Sequence, residues 1–302
     1  METFETYRRY LFSLAYRMLG SAMDAEDLVQ ETYLRYQATP PQTIHSLQAY
    51  LTTILTHLCL DSLELARRKR EVYVGPWLPE PILTEGPPEE ADPEKRAERE
   101  ESISLAFLIL LERLQPFERA VFLLHQVFAY EFAEIASMLQ KSEAACRRSF
   151  SRARQHLIEG RPRFQSSPDQ HRQLLTSFQA AVERGDMTTL THLLADNVTL
   201  WTDGGGKTRK ALLRPICGRE KVARMSLASK RIRPQNAQVE LREVNGQLAL
   251  ITSVAGRAWS CFSIEIEHGL IQVIRIILNP DKLAQITRET GIHESNSAER
   301  EE

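Results

Sequence analysis

Residues 132–157 read FAEIASMLQKSEAACRRSFSRARQHL, a stretch that predicts two helices joined by a short turn. The apolar residues of the first helix recur at the spacing of one helical face: Phe132, Ile135, Ala136 and Leu139. The pattern breaks at Gln140, and Ser142 is placed to cap a second helix. The apolar face of that helix consists of Cys146, Phe150, Ala153 and Leu157. Because a left-handed backbone costs a non-glycine residue about 1–2 kcal/mol, we expect Gln140 to adopt another turn geometry.

The polar side chains of the turn and the second helix are basic or carry a hydroxyl: Lys141, Ser142, Arg147, Arg148, Ser151, Arg152 and Arg154. Arginines on the second of two short helices are typical of a helix-turn-helix that reads DNA, although a basic amphipathic helix in any bundle gives the same local pattern. The stretch resembles region 4 of sigma factors, the promoter-recognition subunits of bacterial RNA polymerase. LERLQPFERAVFLLHQV (111–127) resembles that region's first half. The resemblance implies that these side chains contact the minus-thirty-five promoter element.

Residues 1–75 predict an all-helical N-terminal domain, which the same resemblance makes sigma region 2. Apolar residues of the first helix follow the 3.6-residue period: Leu11, Leu14, Ala15, Met18 and Leu19. Gly20 is a natural stop for this helix. We expect Asp24 to cap the second helix and a third helix to begin near Ser46.

The second of these helices, DAEDLVQETYLRY (24–36), is similar to sigma region 2.2, which docks on the polymerase clamp. The resemblance implies that Asp27, Gln30 and Glu31 contact the clamp of the beta-prime subunit. Short acidic and amide side chains on a rigid helix suit a basic partner. Taken alone, the segment is more typical of an acidic surface helix with no partner.

The third helix, SLQAYLTTILTHLCLDSLELARRKR (46–70), resembles sigma regions 2.3 and 2.4, which capture the unpaired strand of the minus-ten element. Strand capture needs cations for the backbone, and the resemblance assigns this role to Arg67, Arg68, Lys69 and Arg70. Tyr50 and His57 stand where a tryptophan and an asparagine are frequent in the family. His57 is therefore either a DNA contact or an ordinary surface histidine.

Composition divides the rest of the chain. Residues 76–100 are rich in Pro and acid and predict a linker, 101–163 predict the region 4 domain, and 291–302 predict a disordered tail. Residues 170–290 predict an α+β domain. Its signals are an amphipathic helix ending near Gly185, strands from Val198 onward, and an Asn245-Gly246 hairpin turn.

Three motifs resemble the extracytoplasmic-function sigma factors that carry a C-terminal SnoaL-like domain. They are Trp77-Leu78-Pro79 with Glu80 and Pro81, Asp203-Gly204-Gly205-Gly206-Lys207, and Asn279-Pro280-Asp281-Lys282-Leu283. The resemblance implies a cone-shaped, ketosteroid-isomerase-like fold with a curved antiparallel sheet, and a regulatory role for these residues. A linker with a lone apolar patch at Trp77 and Leu78 should seek a partner surface, either this domain or its own helical domain. The direction of the regulatory effect stays open.

Other readings of the C-terminal domain are weaker. The glycine triplet lacks the G-x-x-x-x-G-K-[ST] spacing of a phosphate loop, so we interpret it as a tight turn. Catalysis would need a general base, for which Asp203, His192 and Glu265 are the candidates. Their spacing in the sequence does not dictate any pairing among them. We therefore predict no enzyme activity and no cofactor, with a small-molecule ligand in the pocket left open. The alternative function is a stand-alone helix-turn-helix regulator with a ligand-sensing or isomerase-like domain.

The charge and the composition of the chain are compatible with the sigma-factor hypothesis. The net charge is −2, but the basic residues cluster locally, and phosphate attraction acts over about one Debye length, ~8–10 Å. An acidic N-terminus and the lack of an apolar run of about 20 residues predict a cytoplasmic protein with no membrane partner. Scattered cysteines (Cys59, Cys146, Cys217 and Cys261) predict buried reduced thiols and no metal site. The partners that the resemblance implies are core polymerase, through the beta-prime clamp and beta flap, and promoter DNA, without a separate anti-sigma factor.

Overall fold

The computed structural model describes residues 3–40, 44, 46–70, 73–84, 103–160 and 167–288, with side chains excepted at 66–70 and 158–160. The predicted tail at 291–302 and most of the predicted linker therefore lie outside the described residues. The chain divides into two compact units. One consists of Met1–Val72 with Ala106–Arg161, and the other of Tyr73–Leu105 with Pro162–Glu302.

The first unit begins with helices α1 (Phe4–Leu19), α2 (Ala22–Gln37) and α3 (Leu47–Arg70). α1 ends as predicted at Gly20, which adopts a left-handed backbone with φ 67°. The prediction that Asp24 caps α2 was wrong. Ser21 is the cap, and its side chain accepts a hydrogen bond from the Asp24 backbone N–H at 3.1 Å. The Ser46 hydroxyl accepts from the Ala49 N–H at 3.3 Å, which confirms the predicted start of α3.

The other half of this unit contains α4 (Leu105–Leu111), α5 (Pro116–Phe122), a π-helical turn (Leu123–Val127), α6 (Phe132–Leu139) and α7 (Glu143–Gly160). The geometry expected at Gln140 was wrong, because this residue is left-handed with φ 52° and ψ 44°. Its conformation lets the Lys141 N–H reach the Ala136 carbonyl at 3.0 Å. This hydrogen bond satisfies a carbonyl at the end of α6 and offsets the backbone strain.

The two helical halves of the first unit share an interface. The Tyr130 hydroxyl lies 3.0 Å from the Tyr10 hydroxyl and 3.1 Å from Thr52 Oγ1. The Arg119 guanidinium, 3% exposed, donates to the Met18 carbonyl at 2.6 Å and pairs with Glu112 at 2.8 Å. Burial lowers the pKa of Arg119 to about 9. Buried polar contacts of this kind fix one arrangement of the two halves.

The second unit is built on a six-stranded sheet. Its helices are α8 (Pro168–Arg184), α9 (Met187–Leu193) and α10 (Arg219–Ile232). Its strands are β1 (Leu194–Asp203), β2 (Ile216–Cys217), β3 (Gln238–Val244), β4 (Gln247–Val254), β5 (Arg257–Glu267) and β6 (Leu270–Ile277), in the order β2-β1-β6-β5-β4-β3. We expected a wholly antiparallel sheet, but the sheet is mixed, because β1 and β6 run parallel.

The packing of this unit follows the predicted pattern, with Cys217 as an exception. The helix that ends at Gly185 and the Asn245-Gly246 turn are both present. Glu265 of β5 is buried and paired with the buried Arg275 of β6. Cys59, Cys146 and Cys261 are buried free thiols as predicted, whereas Cys217 is exposed. Cys217 lies on the short β2 strand, which covers only two residues of β1.

Candidate functional site

Helix α2 presents a polar face with apolar neighbours. Asp27 and Gln30 are exposed, and Glu31 is partly exposed and pairs with Arg35 at 2.8 Å. These residues are three and four positions apart, so they share one face of the helix. Met23 and Leu34, 54% and 58% exposed, continue that face in both directions. This face of α2 is therefore exposed, with polar side chains between two apolar ones.

Helix α7 has an exposed basic face. Ser142 caps the helix as predicted, since its hydroxyl accepts from the Ala145 N–H at 3.2 Å. Cys146, Ala153 and Leu157 are buried against the rest of the unit, and Phe150 is partly buried. The predicted DNA-binding side chains of the turn and helix are all exposed: Lys141, Ser142, Arg147, Arg148, Ser151, Arg152 and Arg154.

The arginines of this face differ in whether they form ion pairs. Arg147 pairs with Glu143 at 2.5 Å and lies over the Phe132 ring at 4.6 Å. Arg152 pairs at 3.0 Å with Glu118, a carboxylate that is 6% exposed. Arg148 and Arg154 make no ion pair with any residue that the structure describes. These two guanidiniums are therefore the ones most available to a nucleic acid.

Helix α3 is partly covered by α6. The His57 ring is hydrogen-bonded through Nε2 to the Met138 carbonyl at 2.8 Å. The structure thus gives His57 a protein partner within the unit. Thr52 and Thr56 are buried, and their hydroxyls donate hydrogen bonds to backbone carbonyls of the same helix. The backbone of α3 continues through the basic cluster, whose side chains, Arg67, Arg68, Lys69 and Arg70, lie outside the described residues.

The three sequence motifs of the second unit meet around one buried carboxylate. Asp203, at the end of β1, is fully buried. Its Oδ2 accepts from the Leu78 N–H at 2.8 Å and from the Lys282 ammonium at 2.7 Å. Its Oδ1 accepts from the Tyr73 hydroxyl at 2.6 Å and from the Gly205 N–H at 3.1 Å. The side chain of Asp203 therefore joins the linker, the glycine turn and the last motif.

Lys282 is the second centre of this cluster. It is 6% exposed, and its ammonium also donates to the Leu78 carbonyl. The Trp77 and Tyr73 ring centroids lie 4.3 Å and 5.0 Å from it. Cation–π contacts of a desolvated ammonium are worth about 2 kcal/mol or more. Burial, together with the neighbouring Asp203, raises the pKa of the Tyr73 hydroxyl, so this group stays a donor.

The glycine turn is required by its surroundings. Gly205 has φ +55°, and a Cβ at this position would lie 2.4 Å from Asn279 Nδ2 and 2.9 Å from the Tyr73 hydroxyl. A Cβ on Gly204 would lie 2.5 Å from the Ala211 Cβ. Gly206, also left-handed, lies against Val74, two residues before the predicted linker. The interpretation as a permissive turn is confirmed, and the turn is also a place of close approach.

The remaining motif residues complete the cluster. Pro79 is buried, and Leu283 is 1% exposed. Asn279 Nδ2 donates to the Tyr73 hydroxyl at 3.1 Å. Lys207 pairs with Asp281 at the surface, and Pro280 is exposed.

The linker also extends the sheet. Leu83 forms an isolated antiparallel bridge to Val244, and the Thr84 N–H donates to the Glu243 carbonyl at 3.0 Å. The buried Asn245 side chain accepts from the Ile82 N–H at 3.2 Å and donates to the Ile103 carbonyl at 2.8 Å. Residues 73–84 are therefore packed on the second unit. Neither Tyr73 nor this role of Asn245 was predicted, because the hydrogen bonds of both side chains join residues that are distant in sequence.

The catalytic candidates are dispersed. Asp203 belongs to the cluster above, and Glu265 is paired with Arg275. His192 is exposed and bonded through Nδ1 to the Thr188 carbonyl at 2.8 Å. A cavity of about 140 Å³ lies between the sheet and helices α8 and α10, and none of the three residues lines it. The structure therefore does not bring these candidates together.

Comparisons with known proteins agree with this layout. Residues 3–71 match the family model for Sigma-70 region 2, and residues 104–157 match that for Sigma-70 region 4. The chain is 37% identical over 289 residues to the ECF RNA polymerase sigma factor SigJ of Mycobacterium tuberculosis, over 92% of this chain and 91% of that protein. The chain belongs to the family of ECF RNA polymerase sigma factors.

Two further matches extend the likeness along the chain. The probable ECF sigma factor SigI of Mycobacterium tuberculosis is 31% identical over 287 residues, covering 94% of this chain and 95% of the relative. The crystal structure of Mycobacterium tuberculosis SigJ matches with a TM-score of 0.72 at 36% identity, over 93% of this chain and 97% of that one. The predicted fold class, helical sigma regions followed by an α+β SnoaL-like domain, is confirmed. Among the described residues, no helix is long and apolar enough to cross a membrane.

Proposed function

We propose that this chain recruits core RNA polymerase to specific promoters and is controlled by its own C-terminal domain. The observation that carries the promoter-binding part is the exposed basic face of α7, where Arg148 and Arg154 have no ion-pair partner among the described residues. N-terminal residues of a recognition helix contact base edges in the major groove, and later ones reach phosphates. Arg148 then contacts a base edge in the major groove, and Arg154 contacts a phosphate of the DNA backbone.

The α2 face is the proposed polymerase-binding surface. Asp27, Gln30 and Glu31 would contact the clamp of the beta-prime subunit, with Met23 and Leu34 packing at the two ends. The helix-turn-helix domain would contact the beta flap. A stand-alone DNA-binding regulator has no use for such a surface. Co-purification with core polymerase separates the two functions: retention supports the sigma factor, and its loss with intact DNA binding supports the alternative.

The first test of this surface is the double variant Gln30→Ala/Glu31→Ala. Truncating polar groups that become buried in an interface costs about 2–5 kcal/mol, so we expect affinity for core polymerase to fall at least tenfold. The fold should remain, because the Glu31–Arg35 pair is exposed and such helix pairs contribute about 0.3–0.5 kcal/mol. Titration of labelled core polymerase measures the effect.

The control for this titration is Gln173→Ala/Glu240→Ala, two exposed side chains of the second unit. We expect its polymerase affinity to equal that of the unaltered protein. Equal affinities for all three proteins would remove the assignment of the α2 face.

Regulation in cis is proposed from the linker contacts. The linker connects α3 to the helix-turn-helix half, and in the first unit these halves pack together with His57 bonded to Met138. Because α6 covers part of α3 in this arrangement, we infer that the halves separate when α3 and α7 bind DNA together. A linker held by Asp203 and Lys282 restrains that separation. The docked state is therefore the restrained state, and no separate anti-sigma factor is needed. The C-terminal domain acts here by binding and not by catalysis.

The second test is Trp77→Ala. Loss of the apolar burial and of the contact with Lys282 should weaken linker docking by roughly 1.5–3 kcal/mol and raise promoter activity severalfold. Run-off transcription with purified polymerase at matched protein levels measures activity, and protease cleavage within 73–84 measures docking. Gln173→Ala, at an exposed position of α8 away from the linker contacts, is the control expected to change neither. Unchanged transcription despite faster cleavage would refute the regulatory role alone.

A further inference from the structure

The cavity of the second unit has the size and lining of a small-molecule site. Its volume is about 140 Å³, and it is walled by Phe178, Leu200, Leu250, Trp259, Phe262 and Ile276. The Phe178 and Phe262 rings stack with centroids 5.3 Å apart. An apolar cavity of about 150 Å³ is known to accept benzene, so the volume of this cavity matches one aromatic ring.

Two residues with hydroxyl side chains line this space. Thr252 and Ser260 sit opposite each other on β4 and β5, are 7% and 4% exposed, and line the cavity. Neither hydroxyl bonds to a residue that the structure describes. The neighbouring hydroxyls of Thr202 and Ser226 are instead bonded to backbone groups. Both hydroxyls are therefore free to form a hydrogen bond with a polar atom of a ligand in the cavity.

The rim of the cavity is positively charged. Lys230 and Arg233 share one carboxylate, Glu183, at 3.9 Å and 2.5 Å. The hydrogen bond from Arg233 lowers the pKa of Glu183, so this carboxylate stays ionised. Lys210 is exposed, lies over the Trp259 ring at 4.9 Å, and has no ion pair within the described part of the chain. Three cations and one carboxylate leave the rim with an excess of positive charge, which favours an anion.

We propose that this cavity binds an aromatic carboxylate with a single ring. The ring lies among Phe178, Trp259 and Phe262, the carboxylate meets Lys210 at the rim, and a ring hydroxyl reaches Thr252 and Ser260. Since every group involved belongs to the second unit, the proposal does not depend on polymerase binding.

Calorimetric titration of the full-length protein tests this site with three probes. 4-Hydroxybenzoate should bind with a sub-millimolar dissociation constant. Benzoate, without the hydroxyl, and 4-hydroxybenzamide, without the charge, should each bind about fivefold more weakly. No binding of any probe, or equal affinity for the acid and the amide, would overturn the proposal.

Variants locate the probe within the protein. Lys210→Gln should weaken 4-hydroxybenzoate about fivefold and leave 4-hydroxybenzamide unchanged. Thr252→Val, nearly the same shape without the hydroxyl, should weaken 4-hydroxybenzoate and leave benzoate unchanged. Lys221→Gln, an exposed lysine of α10 outside the cavity lining, is the charge control. Equal losses in Lys210→Gln and Lys221→Gln would mean nonspecific attraction and would reject the site.

Discussion

Replacing Asp203 with Ala is expected to lower the free energy of unfolding of the second unit by about 3–5 kcal/mol. The reason is that the Lys282 ammonium, 6% exposed, would remain buried without its counter-charge. The Leu78 N–H and the Tyr73 hydroxyl would also lose their acceptor. Urea unfolding followed by tryptophan fluorescence measures the stability. Hydrogen exchange at the Leu78 amide reports release of the linker.

The matched control for Asp203→Ala is Lys207→Gln. Lys207 and Asp281 form an ion pair in the same cluster, but their side chains are 50% and 51% exposed. Solvent screening limits such a pair to about 0–1 kcal/mol. If Asp203→Ala does not fold, Asp203→Asn keeps the shape and still removes the charge. An Asp203 variant as stable as Lys207→Gln, with unchanged exchange at Leu78, would show that the buried pair does not hold the linker.

Replacing Arg148 with Ala should weaken binding of the polymerase holoenzyme to its promoter by about 1–3 kcal/mol, or roughly 5- to 150-fold. Arg148 is exposed in the first half of α7, where a recognition helix meets base edges. Because a base contact carries sequence information, the loss should be confined to one promoter position. Competition binding with promoter fragments that carry single base changes measures both effects.

Two other arginines make this test specific. Arg154→Ala should weaken binding to all promoter fragments by the same factor. The slope of log K against log salt concentration should fall by about one, the loss of one phosphate contact. Arg172→Ala, an exposed arginine of α8 in the second unit, should leave binding unchanged. If Arg148→Ala behaved like Arg172→Ala at physiological salt, the assignment of α7 as the reading helix would be wrong.

Local features of this chain were predictable because local forces decide them. The apolar spacing of α6 and α7 and the hydroxyl of Ser142 gave the helix-turn-helix its bounds. Gln140 was missed because its own preference is overridden by the carbonyls at the end of α6, which need a partner. Ser21 and Asp24 are both good capping residues three positions apart, and periodicity alone does not choose between them.

Contacts between distant residues were the harder part. The three motifs around Asp203 were identified by resemblance, but their sequences do not predict that all three contact the Asp203 carboxylate. Tyr73 and Asp203 are 130 residues apart, so their hydrogen bond depends on tertiary structure alone. The parallel pairing of β1 with β6 has the same origin, since strand partners are chosen by the packing of the whole domain.

The attachment of residues 73–84 to the second unit has a consequence for dosage. In the proposed mechanism the C-terminal domain and the linker that it holds belong to one polypeptide. Every molecule would then carry one restraint, and the docked fraction would not change with expression level. A docking free energy of about 3 kcal/mol corresponds to roughly 150 docked molecules for each released one at any cellular concentration. A restraint that dissociates into solution would instead be diluted or titrated as copy numbers vary. The output of such a chain would scale in proportion to its abundance, without the threshold that a separate inhibitor imposes.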